Sequence, residues 1–170
     1  MTFDPGPLAD VAMTRDGERW TLELARELRF APDRVWAVLT DPARLREWAP
    51  YTADRDLGST GDVTLTMLDG QSADLPATVR RADAPKVLEY TWGGDQLRWQ
   101  LDPAGAGTRL TLRHSVADRG TGLDVAAGWH LCLAVAERLL DGDPVGPIVG
   151  AAALDHGWTE LRDAYEARLA

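Results

Sequence analysis

The sequence predicts an α+β fold: a curved antiparallel sheet of about seven strands wrapped on a long C-terminal helix, with two short helices after the first strand. Three observations carry this expectation. Segments that alternate apolar and polar residues follow one another through the middle of the chain, closed by turn signals such as Asp69-Gly70 and Gly93-Gly94. Two short proline-led helical patterns interrupt the series near its start. One long helical pattern, "TGLDVAAGWHLCLAVAERLLDG", appears only after the strands stop.

The elements follow in order. Residues 1–16, with Pro5, Gly6 and Pro7, read as a flexible N-terminal arm before a single domain over 17–170. In "RWTLELARELRF", Trp20, Leu22, Leu24, Leu28 and Phe30 share one phase of a strand, and Arg26 shares it too. "APDRVWAVLT" opens a helix at Pro32, with Val35, Trp36 and Leu39 on one face. "TDPARLREWAP" repeats the device: Asp41 caps, Pro42 opens, Leu45 and Trp48 form the stripe and Pro50 stops it. "YTADRDL" is a weak strand, "VTLTML" a clear one, and Pro76 in "ADLPATVRRA" suggests an edge or a bulge. Leu88, Tyr90 and Trp92 share a phase in "KVLEYTW", as do Leu97, Trp99 and Leu101 in "QLRWQL". "TRLTLRHSV" closes the series, and its inward phase includes His114. The long helix, at about 1.5 Å per residue, spans roughly 30 Å and can cross a sheet. A last amphipathic helix is expected to carry Leu154, Trp158, Leu161, Tyr165 and Leu169.

Composition narrows the function classes. The chain has 170 residues, 45% hydrophobic and 26% charged, enough to bury a core without disulfides or a structural metal. Cys132 is the single cysteine, so no intramolecular disulfide forms and a reducing compartment fits. A net charge of −9 argues against a nucleic-acid partner and against an anionic membrane surface. Lys86 is the only lysine, which reads as the codon bias of a GC-rich bacterial genome. The opening "MTFDPGPLADVAMTRDGE" has no basic region followed by an apolar run, and no stretch approaches a membrane span; the expected location is the cytoplasm.

"ELARELRFAPDRVWAVLTDPARLREWAP" resembles the opening signature of the START-like (SRPBCC) superfamily, closest to bacterial homologues of the activator of heat-shock chaperone ATPase, the Aha type. "VLEYTWG", "TRLTLRHSV" and "AAGWHLCLAVAERLLDGDPV" are similar to later motifs of that group, so the resemblance covers about residues 17 to 169. It implies a helix-grip fold with a hydrophobic cavity between sheet and long helix. The superfamily holds lipid and hormone carriers, polyketide cyclases and aromatases, and shares no universal catalytic motif.

The candidate ligand-binding residues are Arg26, Trp48, Tyr90, Trp92, Trp99, His114, Trp129 and Leu133. His114 is a core histidine with both ring nitrogens satisfied, a cavity-lining partner for a ligand oxygen, or an acid–base group. Arg26 is the cation of an inward ion pair or the anchor of a ligand carboxylate or carbonyl. The aromatic residues are core or the walls of a pocket, and Leu133 lies on the Trp129 stripe of the long helix. No catalytic residue, metal or cofactor is assigned: His130 and Cys132 are two apart on a helix and point apart, and Asp141 with Asp143 reads as a helix end. Leu131 and Val135 point away from the Trp129 stripe, so either the following segment or a second copy covers them.

Three readings remain open on the sequence. The first is a non-enzymatic carrier of a small apolar or aromatic ligand. The second is a cyclase- or aromatase-like enzyme in which His114 shuttles a proton. The third is a chaperone-cofactor or regulatory interaction module.

Overall fold

Alternation is clearest on two neighbouring strands, β7 (Asp95–Ala104) and β8 (Gly107–Val116). Leu97, Trp99 and Leu101 of β7 and Leu110, Leu112, His114 and Val116 of β8 are all buried, while Arg98, Gln100, Arg113 and Ser115 face the other way. This computed structural model describes residues 3–170. The remaining strands are β1 (Asp10–Asp16), β2 (Arg19–Leu28), β3 (Tyr51–Ala53), β4 (Gly61–Met67), β5 (Leu75–Asp83) and β6 (Val87–Trp92). Together they make one eight-stranded antiparallel sheet in the order β1-β2-β8-β7-β6-β5-β4-β3. It is curled around a long C-terminal helix, the helix-grip arrangement.

The eighth strand comes from residues that read as a flexible arm, and that reading is corrected for Asp10–Asp16. β1 pairs with β2 from Asp10 opposite Ala25 to Asp16 opposite Arg19. The turn uses Gly17 at φ 63, the left-handed region that glycine reaches without strain. As an edge strand it leaves most of its side chains exposed, so its alternation is faint; Val11 and Met13 are the ones that reach the core. The expectation for Pro76 is also corrected. β5 lies inside the sheet, Pro76 sits opposite Thr64 at its start, and the register shift lies further on, between Val79 and Arg81.

Two short helices follow β2. α1 (Pro32–Thr40) buries Val35, Val38 and Leu39, and Pro32 occupies its first turn. α2 (Pro42–Leu45) starts on Asp41, whose carboxylate accepts from the Ala43 N–H at 3.0 Å. Leu45 and then Trp48 enter the core.

α3 (Arg119–Leu140) is capped by Asp118, which accepts from the Thr121 N–H at 2.8 Å. It is buried on nearly every side rather than along one stripe: Ala126, Leu131 and Val135 are as inaccessible as Leu133. The sheet covers one flank, and a 3-10 turn (Gly150–His156) with α4 (Trp158–Leu169) covers the other. Leu131 and Val135 are therefore buried within one chain, with Ile148 and Ala153 of the returning segment in the same core. Leu154 does not belong to the last helix. It lies in the 3-10 turn and is 59% exposed, because Gly157 at φ 90 separates that turn from α4. Among the described residues no helix is long and apolar enough to cross a membrane.

Candidate functional site

Register places His114 opposite Leu22 on one side and Leu97 on the other, facing α3. The ring is fully buried, and both nitrogens are bonded. The Trp129 indole N–H donates to His114 Nδ1 at 3.0 Å. An indole N–H can only donate, so Nδ1 presents its lone pair and the ring proton lies on Nε2. Nε2 then donates to Asp95 Oδ2 at 2.9 Å. Asp95 Oδ1 accepts from Arg19 Nη2 at 2.7 Å, and Arg19 Nε donates to Ser115 Oγ at 2.9 Å. A polar chain therefore runs from Arg19 through Asp95 and His114 to Trp129 on α3. Partial burial pushes the Asp95 carboxyl up, but the hydrogen bonds from His114 and Arg19, with the Arg19 charge, outweigh it and hold it below its ordinary value.

Around this chain the aromatic side chains pack edge to face. Trp99 and Trp129 lie 5.3 Å apart, Trp48 and Trp99 6.1 Å, Trp92 and Trp129 5.7 Å, and Tyr51 and Trp92 5.1 Å between centroids. The polar tips are paired as well. Trp48 Nε1 donates to the Val38 carbonyl at 2.9 Å, Trp99 Nε1 donates to the Tyr90 hydroxyl at 3.2 Å, and the Tyr51 and Tyr90 hydroxyls bond to each other. Burial pushes the Tyr90 phenol up to about 12 and Tyr51 well above its ordinary value.

Two clefts open at the end of this cluster. The first, about 280 Å³, lies between α3 and the segment after it and is walled by Trp92, Val125, Trp129, Cys132, Val149 and Trp158. The second, about 600 Å³, adds Met67, Asp69, Ser72, Asp95 and His114. Pro50, Trp92, Val125, Val149 and Gly150 border both. Of the residues selected from sequence, Trp92, His114 and Trp129 reach these clefts. Trp48, Tyr90, Trp99 and Leu133 are packed in the core and line neither.

Arg26 is elsewhere. Its guanidinium pairs with Glu137 of α3. Arg26 stands opposite Leu110, four residues along β8 from His114, a separation on the order of 13 Å. The two inward polar residues therefore serve different partners and do not converge. Cys132 is 4% exposed, and burial pushes its thiol up to about 12. Among the described residues no group of three or more His, Cys, Asp or Glu side chains is placed to hold a metal ion.

Sequence reasoning missed Asp95, which it read as part of a turn. The signal was present: Asp95 is two residues before Leu97 and so shares its inward phase. It also missed Val125, Val149 and Trp158 as cleft walls, because they meet only when the segment after α3 folds back.

The arrangement has known counterparts. CalU16 from Micromonospora echinospora is similar over 94% of this chain and 96% of its own, with a TM-score of 0.70 and 21% identity. A conserved protein of unknown function from Enterococcus faecalis gives a TM-score of 0.72 at 16% identity, over 93% of this chain and 89% of its own. A protein from Bordetella parapertussis is 29% identical, with a TM-score of 0.62 over 99% of this chain and 96% of its own. No curated protein sequence matches the chain. The sequence model of the family described as Activator of Hsp90 ATPase homolog 1-like protein matches residues 29–141, from the end of β2 to the end of α3, and the chain belongs to that family.

Proposed function

We propose that the chain binds a small apolar or aromatic molecule in the cleft walled by Trp92, Trp129 and Trp158. The observation that carries the reading is this meeting of three indoles with Val125 and Val149 around about 280 Å³ of open space. Indole walls offer large apolar area with few internal freedoms, which suits a flat ligand. Asp69, Ser72 and Asp95 border the adjoining cleft and give the site one polar end. The His114 lone pair is taken by the Trp129 indole N–H, which favours binding over turnover through His114.

Native mass spectrometry on freshly purified protein, set against the denatured mass, tests this. A stoichiometric extra mass, or uptake after soaking with fatty acids, flavonoids or polyketide-like phenols, is the expected result. Val125→Arg puts a charge between the two clefts and abolishes uptake. A bare mass in every case overturns the reading. A second reading then gains, since Trp48, Trp99, Tyr51 and Tyr90 already fill much of the interior: an interaction module that works through its outer surface.

A further inference from the structure

The sheet face turned away from α3 carries a cross-strand row of charge. Glu23 of β2 stands opposite Arg113 of β8, and Arg113 opposite Arg98 of β7. Arg98 stands opposite Glu89 of β6, and Glu89 opposite Arg81 of β5. The signs alternate except in the middle, where two arginines stand opposite each other in register, a like-charge pair. Their neighbouring carboxylates use only part of each fork. Arg113 donates through Nε to Glu23 at 3.2 Å, and Arg98 donates through Nη1 to Glu89. Arg98 Nε is a buried donor with no partner, the one such side-chain atom among the described residues.

A groove of about 430 Å³ lies over this pair. The adjacent row of the sheet contributes Thr21, Ser115 and Gln96 to it, all hydrogen-bonding side chains. The register shift in β5 adds Arg80, which forms no ion pair among the described residues. Arg19 closes one end, so four arginines border the groove against two acidic residues, Asp16 and Glu89. Three of the four are already ion-paired, Arg19 to Asp95, Arg98 to Glu89 and Arg113 to Glu23, so Arg80 is the unpaired cation of the groove among the described residues.

We propose that this groove binds the anionic group, phosphate or carboxylate, of a small metabolite between Arg98 and Arg113. An oxyanion placed there turns the repulsion of the pair into attraction. It also takes the donors that Glu23 and Glu89 leave over, and the planar guanidinium fork suits its paired oxygens. The site is on the opposite face of the sheet from the indole cleft, and the two meet only at the groove's end, where Arg19 pairs with Asp95.

The experiment is a titration of the intact chain with inorganic pyrophosphate and, separately, with citrate, which tells a phosphate source from a carboxylate one. Heat of binding and the arginine Nε–H signals in NMR are read together. The expected result is saturation by one of them, an affinity that weakens as salt is raised, and a shifted Arg98 Nε–H signal with shifts along β7 and β8. Arg98→Gln and Arg113→Gln each weaken binding about tenfold or more. Arg81→Gln, in the row but outside the groove, leaves it unchanged. No saturation by either anion, shifts elsewhere on the molecule, or unaltered affinity in both groove variants overturns the proposal. The wild-type NMR titration separates binding in the groove from its absence even where a variant fails to fold.

Discussion

His114 shows what an inward polar residue costs and what it holds. Its ring ties β8 to α3 through Trp129 and to the start of β7 through Asp95, so one side chain joins three elements. His114→Ala removes the ring, opens a cavity and strands an indole N–H in the core. The expected loss of stability is about 2–4 kcal/mol, read by chemical denaturation. Trp129→Phe removes the donor and part of the buried ring and leaves His114 Nδ1 unpaired, so a loss of about 1–3 kcal/mol is expected. That His114 faces inward was legible in the sequence, because alternation on a half-buried strand assigns every side chain to a face. Which partners it meets was not, since Asp95 and Trp129 reach it through strand register and helix docking that no local pattern encodes.

At the scale of elements, α3, α4 and the N-terminal segment are held by one polar latch. The Ala9 N–H donates to the Tyr165 hydroxyl at 2.9 Å, so that hydroxyl donates in turn to His130 Nδ1 at 2.6 Å. His130 Nε2 donates to the Pro5 carbonyl at 2.8 Å. Burial lowers the His130 imidazole below its ordinary value of 6.5; the Pro5 carbonyl pulls the other way, and the Arg26 charge adds to the lowering. Between the two values the unfolded chain binds more protons than the folded one, so stability rises with pH there. The contribution is complete above about pH 6.5 and is lost as the pH falls through the folded value. Denaturation curves collected from pH 7.5 down to 5 are expected to show that decline, and His130→Gln to flatten it. Tyr165→Phe leaves the Ala9 N–H without its acceptor and costs about 1–3 kcal/mol. None of this was legible, since a histidine on the second flank of a helix reads as surface until the returning segment covers it. β1 was lost for the converse reason: an edge strand with both faces partly wet carries little alternation, whereas β7 and β8 carry it fully.

On the scale of the whole molecule, Cys132 reports how the helix is gripped. Its sulfur sits among core side chains on α3, at the wall of the indole cleft, and burial holds the thiol near 12, so the reactive thiolate is nearly absent at neutral pH. Alkylation by iodoacetamide at pH 7.5 is therefore expected to be slow in the folded protein and fast in denaturant. The folded-state rate then measures how often the returning segment lifts from α3, an opening that need not unfold the sheet. Local opening makes the rate only weakly dependent on low denaturant, because little surface is exposed. Global unfolding gives the full equilibrium slope instead. A ligand lodged between Trp92, Trp129 and Trp158 slows labelling in proportion to its occupancy, because it must leave before the segment can lift. An anion on the far side of the sheet leaves the rate unchanged, so one cysteine separates the two binding events within a single fold.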